Sequence, residues 1–120
     1  RSSDLAGDEV LCEVVRRLNS RIRCTDIVAR FGGEEFVLVL PGLRRGAAMT
    51  MLERVRAAIA DEPCQLPDGQ AVTVTLSIGI ATHGEDKPYE SAESLLRNAD
   101  RAVYDAKRNG RNRVECYRDS

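Results

Sequence analysis

The amino-acid sequence predicts an α/β (α+β) sandwich in which helices flank a mostly antiparallel central sheet, and three observations predict it. Apolar residues recur at helical spacing in three segments, the pattern of helices that bury one face. Between them lie apolar runs bounded by glycine and proline, which read as strands. The resulting order is helix, strand, strand, helix, strand, helix, strand. At 120 residues the chain has room for one core and not two, so residues 1–120 read as a single domain.

Arg1-Ser2-Ser3 reads as loop and there is no initiator methionine, so the chain reads as part of a longer polypeptide. The first helix is predicted over about residues 8–22. Val10, Leu11, Val14, Val15, Leu18 and Ile22 form its apolar stripe, and Arg16, Arg17 and Asn19 fall on the wet side. The polar Arg23-Cys24-Thr25-Asp26 then leads into a β-hairpin. Its arms are Ile27-Val28-Ala29 and Val37-Leu38-Val39-Leu40, and Gly32-Gly33 between them suits a tight turn because glycine reaches φ > 0 without steric cost.

Pro41-Gly42 ends the hairpin, and a second helix over about residues 47–60 turns Ala48, Leu52, Val55 and Ile59 inward before Pro63 closes it. After the turn at Pro67-Asp68-Gly69, Val72, Val74, Leu76, Ile78 and Ile80 alternate with Thr73, Thr75, Ser77, Gly79 and Ala81. That alternation predicts one long strand with a bulky face and a small face. The small face admits a helix or a ligand at close range, close helix packing being the simpler cause. Residues 83–89 read as an exposed loop. The last helix starts at Ser91 or Ala92, buries Leu95, Leu96, Ala99, Ala102, Val103 and Ala106, and stops at Asn109-Gly110. Val114, Cys116 and Tyr117 suggest a short closing strand.

Composition narrows the function. A net charge of -1 with 31% charged residues gives no basic surface for a nucleic-acid polymer. No apolar run approaches the roughly 20 residues of a membrane span, so the sequence predicts a soluble, cytoplasmic domain without membrane contact. Cys12, Cys24, Cys64 and Cys116 lack Cys-x-x-Cys spacing and His83 is the sole histidine, which argues against zinc and for reduced, mostly buried thiols. Sixteen of the eighteen basic residues are arginine, whose planar fork suits phosphates and guanine edges, although codon bias explains the total equally well.

Glu34 and Glu35 are the unusual feature. Glutamate is depleted in strands, yet the pair follows the glycines of a hairpin turn, where carboxylates beside bare backbone N–H groups suit a hydrated Mg²⁺ and a polyphosphate. A solvated acidic turn is the plain alternative.

Several stretches together resemble one family. Ala29-Arg30-Phe31-Gly32-Gly33-Glu34-Glu35-Phe36 is similar to the signature of GGDEF domains, bacterial diguanylate cyclases that condense two GTP molecules into cyclic di-GMP. Gly7-Asp8-Glu9-Val10-Leu11, Leu76-Ser77-Ile78-Gly79-Ile80-Ala81 and residues 99–107 with Gly110-Arg111-Asn112-Arg113 resemble further family segments in the right order over nearly the whole chain. The resemblance implies a ferredoxin-like, nucleotidyl-cyclase palm that uses Mg²⁺ (or Mn²⁺) and works as a homodimer. By the same resemblance Glu34 coordinates the metal and serves as base, and Glu35 supports the metal site. Gly32 and Gly33 admit the phosphates, Asp8 binds the guanine, and Lys107 and Arg111 hold the terminal phosphates. Without the family, Lys107 and Arg111 read as a cationic helix end matching the macrodipole.

The resemblance also implies product inhibition. Arg23-x-x-Asp26, with five residues between it and Gly32, has the family's spacing for a cyclic di-GMP site, and Arg54 resembles the secondary arginine. Arginine forks onto guanine O6 and N7 while aspartate accepts from N1–H and the N2 amine. An isolated Arg-x-x-Asp reads as a surface ion pair. Family members begin with a further strand and helix that carry an aspartate ligand and a guanine-binding asparagine, and here Asp4 stands where a histidine is frequent. The resemblance therefore implies that these residues alone are weak or inactive as a cyclase. The competing function is a catalytically inactive module that binds cyclic di-GMP.

Overall fold

The computed structural model is an α/β structure with the order α1 (Ser2–Asn19), β1 (Ile27–Gly32), β2 (Glu35–Val39), α2 (Arg45–Asp61), β3 (Cys64–Gln65), β4 (Ala71–Val72), β5 (Ser77–Ile80), α3 (Ala92–Arg108) and β6 (Arg113–Cys116). It describes residues 2–32, 35–85 and 87–118, and their side chains except at 2–6, 8, 28–32 and 35. The described strands form three two-stranded ladders instead of one continuous sheet. Two are antiparallel and one, β5 with β6, is parallel.

One compact unit comprises residues 1–42 and 61–74. Within it α1 buries Val14 and Leu18, each 3% exposed, while Val10, Leu11, Val15 and Ile22 are half-buried. The helix starts at Ser2, so Ser2 and Ser3 of the predicted N-terminal loop are helical. Apolar periodicity marks where a helix packs, but once nucleated a helix propagates through residues that pack little. It unwinds where Ser20 Oγ and Arg21 N–H donate to the carbonyls of Arg17 and Leu18 at 2.8 and 3.0 Å, which leaves Ile22 beyond its end. Arg17, predicted wet, is only 11% exposed because Glu13 Oε2 accepts from its Nε at 2.8 Å and the Pro63 carbonyl from its Nη2 at 3.2 Å.

In the same unit β1 and β2 form the predicted hairpin. Ile27 pairs with Val39, Arg30 with Phe36 and Gly32 with Glu35, and the register shifts between Arg30 and Gly32. The joining residues, Gly33 and Glu34, lie outside the described residues. The predicted turn at 67–69 joins β3 to β4, with Gly69 at φ 90° and Gln70 N–H donating to Asp68 Oδ1 at 3.0 Å.

The other unit comprises residues 43–60 and 75–120. Here α2 buries Ala48, Leu52, Val55 and Ile59, the four residues its periodicity predicts. The predicted long strand is interrupted: residues 73–76, between β4 and β5, have no ladder partner among the described residues, and a strand needs one to pair its backbone. β5, α3 and β6 form a β-α-β unit. Gly79 sets its spacing, because a Cβ there would fall under 3 Å from the backbone of Ala99, Ala102 and Val103 on α3. The small strand face thus serves helix packing, and Ala102 and Ala106 are fully buried.

Ser91 caps α3, its Oγ accepting from Ser94 N–H at 3.1 Å. The thiols correct the expectation of mostly buried cysteines. Cys64 is buried and Cys116 half-buried, but Cys12 and Cys24 are exposed, since Cys12 falls off the apolar stripe of α1 and Cys24 sits in a polar turn.

Candidate functional site

The turn after α1 is built by Arg23 and Asp26 themselves. Asp26 N–H donates to the Arg23 carbonyl at 3.0 Å, closing a four-residue turn. Its carboxylate reaches back, accepting from Arg23 N–H at 2.8 Å and from Arg23 Nε at 2.9 Å. Arg23 Nη2 also donates to the Pro41 carbonyl at 3.0 Å, which ties the turn to the exit of β2. The Asp26 side chain is fully covered while that of Arg23 is 40% exposed. The hydrogen bond from Arg23 is the main reason the Asp26 carboxyl titrates below its ordinary range and the guanidinium above its own. The turn therefore holds a charged guanidinium paired internally through Nε and Nη2, and its planar fork suits an acceptor such as a purine edge or a phosphate once that pairing is exchanged. Arg54, predicted to complete this site, is exposed on α2 in the other unit and makes no hydrogen bond or ion pair among the described residues.

The hairpin end carries the predicted catalytic residues. Gly32 closes β1 opposite Glu35 at the start of β2, and the irregular register just before it lies where bulges commonly re-aim a strand end. Gly33, Glu34 and the side chains of Asp8 and Glu35 lie outside the described residues; Asp8 is on α1 and Glu35 on β2. Among the described residues no three His, Cys, Asp or Glu side chains cluster to hold a metal.

Lys107 and Arg111 flank the end of α3. Asn109 N–H donates to the Asp105 carbonyl and Arg111 N–H to the Ala106 carbonyl, each at 2.9 Å, and Gly110 adopts φ 125°. This i-to-i−5 closure with a left-handed glycine is a Schellman ending, which the Asn-Gly pair foretold. Lys107 and the Arg111 guanidinium are both exposed and unpaired among the described residues, two cations available to an anion.

Residues 4–113 match the family model described as diguanylate cyclase, GGDEF domain, which takes in the turn, the hairpin and the end of α3 together. The chain belongs to the GGDEF family. This GGDEF chain is 44% identical over 115 residues to diguanylate cyclase A of Treponema denticola, an alignment covering 96% of the chain and 30% of that protein. It thus spans less than a third of that relative. The GGDEF domain of PA1120 from Pseudomonas aeruginosa has the same fold, with a TM-score of 0.90 at 36% identity over 98% of this chain and 71% of that one. The active GGEEF domain of a diguanylate cyclase from Vibrio cholerae matches with a TM-score of 0.77 at 32% identity, over 96% of this chain and 70% of that one.

Residues that the periodicity of the GGDEF chain does not single out join this picture in the second unit. Arg56 Nη1 donates to Asn112 Oδ1 at 2.6 Å, and the Arg56 Nε binds both carboxylate oxygens of Glu53 at 3.0 Å. Arg56 and Asn112 are 56 residues apart, so no local pattern joins them. The only sequence signal is the asparagine after Gly110-Arg111, a residue type that tolerates positive φ.

Proposed function

We propose that the polypeptide carrying this chain is a diguanylate cyclase that condenses two GTP into cyclic di-GMP and releases pyrophosphate. The observation that carries the reading is the family match over residues 4–113, with Gly-Gly-Glu-Glu-Phe intact at 32–36. It crosses both compact units, in keeping with one domain. In this reading Asp8 accepts from the guanine, Gly32 and Gly33 let backbone approach the phosphates, and Lys107 and Arg111 hold the terminal phosphates. Glu34 and Glu35 are hard oxygen donors of the kind Mg²⁺ or Mn²⁺ takes. When bound, the metal neutralises charge on the phosphates. Glu34 then accepts the proton of the attacking 3′-hydroxyl, so that the oxygen reaches the α-phosphorus of the second GTP as pyrophosphate leaves. Each half-site holds one GTP, so the reaction needs a homodimer.

Product feedback runs through Arg23 and Asp26 with Arg54. Cyclic di-GMP displaces part of the internal ion pair, the arginine turning onto guanine O6 and N7. One observation favours the rival reading of a catalytically silent cyclic di-GMP-binding module: Arg23 and Asp26 close their turn with hydrogen bonds to each other.

The experiment that decides is incubation of the intact polypeptide with GTP and Mg²⁺, resolved by chromatography. Cyclic di-GMP is the expected product, lost in Glu34→Gln and on chelation of the metal. A folded protein that binds cyclic di-GMP and turns over no GTP establishes the rival.

A further inference from the structure

We propose that Arg56 is a positioning residue that fixes, through Asn112, the loop presenting Arg111. The proposal rests on the reading above that Arg111 holds GTP phosphates. Three consecutive residues of this loop have positive φ: Gly110 at 125°, Arg111 at 62° and Asn112 at 45°. Only the first is glycine. Side-chain-bearing residues persist in that region when surrounding contacts over-determine it.

The contacts at the first two positions are local. Arg111 N–H donates to the Ala106 carbonyl at 2.9 Å, and Arg113 Nε donates to the Arg111 carbonyl at 3.2 Å. The Arg113 guanidinium closes over Gly110, where a Cβ would lie 2.6 Å from its Nη2. Asn112 is held from elsewhere in the unit by Arg56 Nη1, at 2.6 Å from its Oδ1. Glu53 in turn fixes Arg56, whose side chain is 18% exposed, and the hydrogen bond from Arg56 keeps the Glu53 carboxyl below its ordinary range and charged. Arginine suits this place because one planar fork reaches Glu53 and Asn112 at once, which a lysine ammonium does not do with fixed geometry. The Arg111 guanidinium, by contrast, is exposed and has no hydrogen bond or ion pair among the described residues. Arg56 therefore supplies geometry to the loop, and Arg111 supplies charge to the ligand.

The test uses the intact polypeptide with Arg56→Lys, Asn112→Gly and the double variant. With the loop loosened, KM for GTP and the inhibition constant of pyrophosphate rise about tenfold while kcat stays within about twofold, the pattern of lost uniform binding. The double variant is no worse than either single one, because both remove the same contact. Hydrogen exchange at the Arg111 amide quickens in Arg56→Lys. Independent, additive effects of the two substitutions overturn the proposal, as does unchanged amide exchange. Arg111→Ala separates the two claims: an unchanged pyrophosphate constant in that variant overturns the phosphate reading, while quicker exchange in Arg56→Lys still supports the positioning role.

Discussion

Replacing Gly79 with alanine tests how α3 is seated. The added Cβ would lie under 3 Å from the Ala99 carbonyl oxygen, the Val103 nitrogen and the Ala102 carbonyl carbon. All three are backbone atoms, so no rotamer change relieves the overlap, and α3 has to retreat from β5 by about 1 Å to restore an ordinary separation of about 3.5 Å. That retreat opens the seam where Ala102 and Ala106 are fully buried, and a gap of this size forfeits a quarter to a half of each dispersion contact. Overpacking costs about 1–3 kcal/mol, and rigid partners put Gly79→Ala at about 3 kcal/mol. At about 4 °C per kcal/mol for a domain of this length, Tm falls by about 12 °C in a circular dichroism melt. Because Lys107 and Arg111 flank the end of α3, the proposed phosphate contacts shift with the helix, and KM for GTP is expected to rise in the same variant. A Tm within about 2 °C of the parent refutes the argument, since no clash of this kind is that cheap.

Two further outcomes follow from the charges. The hydrogen bonds from Arg16 and then Arg17 lower the Glu13 carboxyl from 4.5 to about 2. A depressed carboxylate stabilises the fold above its unfolded value, so this contribution is whole above pH 4.5 and is lost as pH falls toward 2. Urea midpoints of the parent and of Glu13→Gln should therefore differ at neutral pH and converge on acidification, and a gap that widens with acid refutes the assignment. Asp26 and Glu53 add to the same acid limb, each lowered chiefly by its arginine partner. In calorimetry with cyclic di-GMP, Arg23→Ala weakens binding by at least about tenfold, the loss of a charged fork being worth about 1.4 kcal/mol or more, and equal affinity removes Arg23 from the product site.

What could be read in advance was what depends on local pattern. The burial of Ala48, Leu52, Val55 and Ile59 follows from their spacing alone, and Ser91 and Gly110 bound α3 because a hydroxyl acceptor and a left-handed glycine satisfy helix-end groups by short-range bonds. Arg23 and Asp26 were legible for the same reason, being three residues apart in a turn they close themselves. The break at residues 73–76 was not legible. Alternation reports which way side chains point, whereas a strand also needs a neighbour, and nothing in the alternating residues names one. Arg56 escaped by the same logic. In the sequence it is one arginine among sixteen, and its meaning comes from Asn112, brought to it only by the tertiary packing of the unit. The residues proposed to bind substrate are thus more legible than the one proposed to hold them in place. A ligand imposes side-chain types at fixed local spacing, while a support can be drawn from any segment that the fold brings within hydrogen-bond reach.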